Sequence, residues 1–198
     1  MEKPMVAMRL KAETLQSHED LEKHPNLIAM GEGEMTLAGY ADVLCRFYPF
    51  WLAVEQAAYV RADVKSVLPD IESRQLSANL LADLKALNTV PAPAYHGIDW
   101  VDDLASAMGT IYVIEGSTLG GRVIVKRVME QLKLTPENGC SYYFGYGAET
   151  GAKWKGFMDA LAACNFTDAQ ADKVVVAATK TFDALNAWMG ADLNKAAA

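Results

Sequence analysis

The chain has 198 residues, 52% of them apolar and 22% charged, with a formal net charge of −7. This is the composition of a folded globular domain large enough for a real core, and it excludes a disordered chain. The acidic balance argues against a nucleic-acid binder, which needs a basic surface. Helical periodicity then dominates the pattern, and no segment alternates as a strand. A first helix is expected from Met5 to Lys23, stopping at His24-Pro25 because proline disfavours a helical predecessor. A second opens with Thr36 as N-cap and carries Tyr40, Leu44, Phe47, Trp51 and Val54 on apolar stripes, with Pro49 predicted to kink it. A third spans Pro69 to Leu87, and a fourth is capped by Asp99 and reaches Leu132. Thr135 to Gly147 reads as a loop, and a fifth helix as Glu149 to Cys164. Thr167 and Gln170 form a capping box for a sixth that continues to Gly190.

Cys45, Cys140 and Cys164 form no CxxC pair and no His-linked metal spacing, so they read as small core residues in a reducing compartment. Glu2, Lys3, Pro4 and Arg9 interrupt any apolar signal core, and no stretch approaches membrane-spanning length. The expectation is one cytoplasmic, all-α domain over residues 1–198, with no membrane partner.

Two features depart from an ordinary helical bundle. Lys11, Thr14, His18 and Glu22 are spaced by three, four and four, so they share one helical face, beside Leu10, Leu15 and Leu21, which should pack inward. A histidine on such an apolar border can serve as an axial metal ligand through a neutral ring nitrogen, with Glu22 organising the other nitrogen. The alternative is a surface histidine in a charged helix. His24 and His96 are expected to be exposed, and no two histidines have multi-histidine metal spacing. The second feature is Gly116-Ser-Thr-Leu-Gly-Gly121 inside the fourth helix. Each glycine there costs about 1 kcal/mol relative to alanine. Gly116 and Gly120 open a groove on one face, which suits either close helix packing or close backbone approach to a flat ligand. It is no phosphate loop, because no Gly-Lys-Ser/Thr follows and no strand precedes.

Together these features resemble the biliverdin-producing haem oxygenase family. Arg9-Leu10-Lys11-Ala12-Glu13-Thr14, followed by His18, is similar to the family's proximal helix, and Tyr112-Val-Ile-Glu-Gly-Ser-Thr-Leu-Gly-Gly-Arg122 to its distal helix. Tyr142-Tyr-Phe-Gly-Tyr-Gly and the following Thr150, Gly151, Trp154 and Phe157 look most like bacterial members associated with bacteriophytochromes. The similarity runs from about residue 8 to residue 188.

The resemblance implies a single-domain helical bundle holding haem (heme b) between the first and fourth helices. Haem is then both substrate and cofactor, and it is opened by oxygen to biliverdin, carbon monoxide and iron. His18 is implied as the axial iron ligand, with Gly116, Ser117 and Gly120 at the reacting face. Lys11, Thr14, Glu22 and Tyr112 are implied as haem contacts, as are Gly121, Lys155 and Phe182. Lys11, Tyr112 and Lys155 align with propionate-contacting positions, though both lysines also read as ordinary surface charges or, with Lys126, Arg127 and Lys153, as a docking patch. Ser117 stands where animal members carry an aspartate, and a serine cannot supply its charge. Implied partners are an electron donor such as a ferredoxin or reductase, and a bacteriophytochrome accepting biliverdin. The competing reading is a haem carrier that does not degrade its ligand.

Overall fold

The computed structural model describes residues 6–192. Among these there are ten α-helices, two 3-10 turns and no strand, the only β pairing being isolated bridges of Thr135 with Asn138 and Gly139. The expected first helix is two, α1 (Val6–Glu13) and α2 (Leu15–Glu22), and its expected start at Met5 lies outside the described residues. The break falls on Thr14, at φ −97° and ψ 0°. Buried Thr14 donates its hydroxyl to the Leu10 carbonyl at 2.7 Å. A threonine bonded back to the preceding turn opens and bends a helix. The backbone bonds from Thr14 to Leu10 and from His18 to Thr14 persist across it, both at 3.0 Å.

Pro25 ends one helix and starts another. It occupies the first turn of α3 (Pro25–Glu32), where a missing N–H does no harm. That helix was not expected. α4 (Leu37–Ala58) opens as anticipated, with Thr36 Oγ1 accepting from Gly39 N at 3.0 Å. It runs continuously through Pro49, at a cost of ~3 kcal/mol that burial of Phe50 and Trp51 beside it offsets.

α5 (Ala62–Val67) comes next, and in place of one helix over Pro69–Leu87 there are a 3-10 turn at Ile71–Arg74 and α6 (Ser77–Ala86). The start of α6 is set from outside it. Glu55 on α4 accepts from Leu76 N at 2.7 Å, from Ser77 N at 2.9 Å and from the Ser77 hydroxyl. Asp103, not Asp99, caps α7 (Leu104–Leu132), accepting from Ser106 N at 2.9 Å in a capping box. The loop expected at Thr135–Gly147 holds a short α8 (Ser141–Phe144), and a 3-10 turn follows at Gly147–Glu149. Asp83 of α6 caps α8 through Ser141 N and Tyr142 N, each at 2.8 Å. α9 (Thr150–Ala163) and α10 (Asp168–Met189) match expectation, including the Thr167–Gln170 box.

α7 and α10 form the most extensive helix pair. Gly109 permits it, since a Cβ there would lie 2.0 Å from the Val174 carbonyl oxygen. No helix among the described residues is long and apolar enough to cross a membrane.

Candidate active site

A cavity of about 440 Å³ opens between α1–α2 on one side and the middle of α7 on the other. Lys11, Thr14, Leu15, His18, Leu21 and Glu22 line the first wall; Tyr112, Val113, Gly116, Ser117, Leu119 and Gly120 line the second. Phe47 and Trp51 of α4, Trp154 of α9, and Phe182 and Leu185 of α10 close the ends. The two sequence features, almost a hundred residues apart, therefore face one space. Leu10 and Leu21 pack inward as expected, while Leu15 is exposed on the cavity rim.

His18 is 48% exposed, with its ring edge-on to Phe182 at 5.5 Å between centroids. Its Nδ1 lies 3.6 Å from a Glu22 carboxylate oxygen, which leaves Nε2 as the nitrogen available to a ligand. Among the described residues no three His, Cys, Asp or Glu side chains gather as a metal site, so His18 stands as a single-ligand candidate. His96 is exposed as expected, but His24 is half-buried, with an Nδ1 that makes no hydrogen bond.

The three glycines of α7 divide by role. A Cβ on Gly120 would meet nothing within 4 Å, and one on Gly116 would just touch the Trp154 ring at 3.9 Å. Both open the cavity. Gly121 points the other way, where a Cβ would lie 3.0 Å from the Tyr143 carbonyl oxygen, so it serves α7–α8 packing. Ser117, between them, donates its hydroxyl to the Ile114 carbonyl at 2.7 Å.

Immediately before Gly116, Glu115 is buried and paired with buried Arg74. The Tyr146 hydroxyl donates to Glu115 at 2.8 Å, and Arg74 reaches the Lys153 carbonyl at 3.0 Å. Burial pushes the Glu115 carboxyl above its usual range, against the opposing pull of Arg74 and Tyr146. This cluster ties the glycine segment of α7 to α9 and to the 3-10 turn at Ile71–Arg74. Its sequence signal is an acid inside an otherwise apolar helix stretch.

The chain matches the family model described as Heme oxygenase over residues 5–191. It belongs to the haem oxygenase family. Its fold is that of the heme oxygenase of Neisseria meningitidis solved with NO and CO bound, at a TM-score of 0.81 and 22% identity, covering 94% of this chain and 91% of that one. Heme oxygenase-2 of Synechocystis, solved with heme and NO, gives a TM-score of 0.73 at 18% identity, covering 98% and 86%. The Leptospira interrogans heme oxygenase gives 0.74 at 18%, covering 94% and 98%. No curated protein matches the sequence. At these identities the structural likeness is one of fold.

Of the residues that the haem oxygenase resemblance singled out, nine line the cavity: Lys11, Thr14, His18, Glu22, Tyr112, Gly116, Ser117, Gly120 and Phe182. Gly121 and Lys155 do not. On α9, Trp154 takes the cavity-facing position, and Lys155, about 100° further round the helix, is 75% exposed and paired with Asp159. The alternative basic patch is also partly spent: Lys153 binds Asp70 and Ser73, and Arg127 reaches the Met30 carbonyl. The aromatic ends Phe47, Trp51 and Trp154 were legible as apolar positions but not as cavity walls, because only tertiary packing turns them to one space.

Proposed function

We propose that this haem oxygenase family member binds one haem in the cavity between α2 and α7, holds its iron through His18, and opens the ring to biliverdin. The observation that carries this is His18 on one wall and the open Cβ position of Gly120 on the other. The residues fit the group. The cavity ends are apolar or aromatic, a single imidazole is available, and a glycine cradle faces it that any larger side chain would fill. Bound haem supplies the iron at which oxygen reacts and the meso carbon that is oxidised, with electrons from an external donor.

The protein's own part is placement. Glu22 faces Nδ1 and so favours the tautomer that leaves Nε2 to the iron. Lys11 and the Tyr112 hydroxyl stand where a carboxylate edge calls for a cation and a donor. Phe47, Trp51, Phe182 and Leu185 exclude bulk water, and Gly116 and Gly120 bring α7 backbone close to the reacting face. Ser117 is the polar side chain between the two glycines, and because its hydrogen is committed to Ile114 it faces the cavity as an acceptor. A ferredoxin or reductase as electron source, and a bacteriophytochrome as biliverdin acceptor, belong to the same reading, the latter supported by the Tyr142–Phe157 block.

The test is spectroscopic. Haem added to the protein should give a saturable Soret band at one equivalent, and reductant with oxygen should replace it by biliverdin absorption with release of carbon monoxide. A Soret band that persists through that treatment would mean binding without degradation, and the absence of any complex would sink the reading altogether.

A further inference from the structure

Behind the glycine wall lies a polar group to which the reaction assigns no part. Tyr142, on α8, is buried, with its ring edge-on to Phe47 at 5.9 Å and to Tyr143 at 4.9 Å between centroids. Its hydroxyl lies 3.4 Å from Ser117 Oγ. A serine hydroxyl has one hydrogen, and that of Ser117 already goes to the Ile114 carbonyl at 2.7 Å. Tyr142 is therefore the donor of this pair and Ser117 its acceptor. The contact is long for two hydroxyls, so its effect is on orientation more than on stability.

Trp51 stands beside this pair without joining it. Its indole N–H is buried in the cavity wall and makes no hydrogen bond of ordinary geometry, yet it lies near enough to the Tyr142 hydroxyl to oppose the effect of burial on it. Burial wins, pushing the phenol up to about 12, with Glu55 of α4 adding in the same direction. Asp83 of α6 is the other acid that faces Tyr142, and it is engaged with the Tyr142 backbone N–H. At neutral pH the phenol thus keeps its proton. The hydrogens of the two hydroxyls point one way: from Tyr142 to Ser117, and from Ser117 to Ile114. One Ser117 lone pair remains, on the wall between Gly116 and Gly120.

We propose that Tyr142 is a positioning residue for the oxygen-side wall: by donating to Ser117 it holds that hydroxyl as an acceptor toward the cavity and fixes how water there can donate. The proposal rests on the haem-binding reading above. It puts on α8, the element that follows α7, a second hold on the Ser117 hydroxyl besides the Ile114 carbonyl, since a hydroxyl rotor with one partner can still turn to another.

The experiment is a pH titration of the visible spectrum of the ferric haem complex in wild type, Tyr142→Phe, Ser117→Ala and the double variant, with thermal unfolding of each haem-free protein as the control for folding. Phenylalanine keeps the ring that packs on Phe47 and removes only the hydroxyl. Each single change should move the spectral midpoint by about half a pH unit or more, the scale of one neutral hydrogen bond. The double variant should move it no further than Ser117→Ala alone, because Tyr142 acts through Ser117. Additive shifts, or a Tyr142→Phe midpoint equal to wild type, would overturn the relay. Should Tyr142→Phe not fold, Ser117→Ala decides by itself, since an unmoved midpoint there also overturns it. A wild-type protein that forms no haem complex would instead overturn the functional reading on which the proposal stands.

Discussion

The Arg74 guanidinium and the Glu115 carboxylate meet at 2.7 Å, with only 2% and 0% of their side chains exposed. Arg74 also pairs with the partly exposed Asp70 at 2.9 Å, but Glu115 has no other charged partner, so the buried carboxylate depends on Arg74. Arg74→Met should therefore be expensive, because it leaves Glu115 buried opposite nothing but the Tyr146 hydroxyl. A loss of about 3–5 kcal/mol is expected from urea unfolding. Arg74→Met combined with Glu115→Leu should recover much of it. If the double variant is as unstable as the single one, the pair is not what holds the start of the glycine segment.

Glu55 gives a pH prediction of definite sign. Burial raises its carboxyl above the ordinary value, against the opposing hydrogen bonds from Ser77 and Leu76. A raised acid binds its proton more tightly in the folded state. Its favourable contribution is thus fully present below the ordinary carboxylate range and is lost as pH rises through the folded value. Glu55→Gln keeps an oxygen for the Leu76 and Ser77 amides but has nothing to titrate. The stability of Glu55→Gln relative to wild type should therefore increase between pH 4.5 and 7, read by urea unfolding at each pH. A difference that is flat, or that falls, would contradict the raised value.

What the sequence disclosed follows from the range of each interaction. Thr36 with Gly39 and Thr167 with Gln170 are three residues apart, and both caps are readable as short patterns. The α6 and α8 starts depend on Glu55 and Asp83, carboxylates 22 and 58 residues away, and no local pattern announces them. Asp99 and Asp103 are equivalent as N-cap types; the Ser106 reciprocal bond decides between them. The same rule covers the cavity. His18 and the Gly116–Gly120 pair were visible as anomalies on their own helices, whereas Trp51, Trp154 and Tyr142 acquire meaning only when α4, α9 and α8 are packed against α7. Gly121 was grouped with its neighbours by motif, and only the position of the Tyr143 carbonyl separates it.

That separation can be tested directly. Gly120→Leu should fold at least as stably as wild type, since leucine is the better helix former by up to about 1 kcal/mol and its side chain enters open space. It should nevertheless lose haem oxidation, because the side chain occupies the reacting face. Gly121→Ala should do the reverse, losing about 1–3 kcal/mol by overpacking against the Tyr143 backbone while keeping the cavity shape. Thermal unfolding and single-turnover spectra of the two variants check both halves. Normal biliverdin formation by Gly120→Leu would reduce the cradle to a packing feature.

His18→Ala should still take up haem, because the apolar ends of the cavity remain, but it should lose turnover and the wild-type ferric spectrum. Added imidazole should restore part of both, by filling the space the ring leaves beside Phe182. Glu22→Gln should have a smaller effect, since the carboxylate stands 3.6 Å from Nδ1 and steers the tautomer without gripping it. A His18→Ala protein with unchanged spectrum and activity would remove His18 from the site.

The two lysines aligned with propionate contacts should now behave differently. Lys11 lines the cavity rim on the same face as His18, two turns earlier, and can meet a carboxylate at the haem edge. Lys155 is outside the cavity and satisfied by Asp159 in an exposed i,i+4 pair, a contact worth ~0.3–0.5 kcal/mol. Haem is nearly symmetric in its core, so the in-plane rotation it would take, and with it the meso carbon opened, would depend on what holds the propionates. Lys11→Ala should weaken haem binding or change the ratio of biliverdin isomers separated by chromatography, using a small chemical reductant so that no protein donor is involved. Lys155→Ala should leave both unchanged. The opposite pattern, with isomer ratio following Lys155 and indifferent to Lys11, would mean that haem binding swings Lys155 away from Asp159 and into the site.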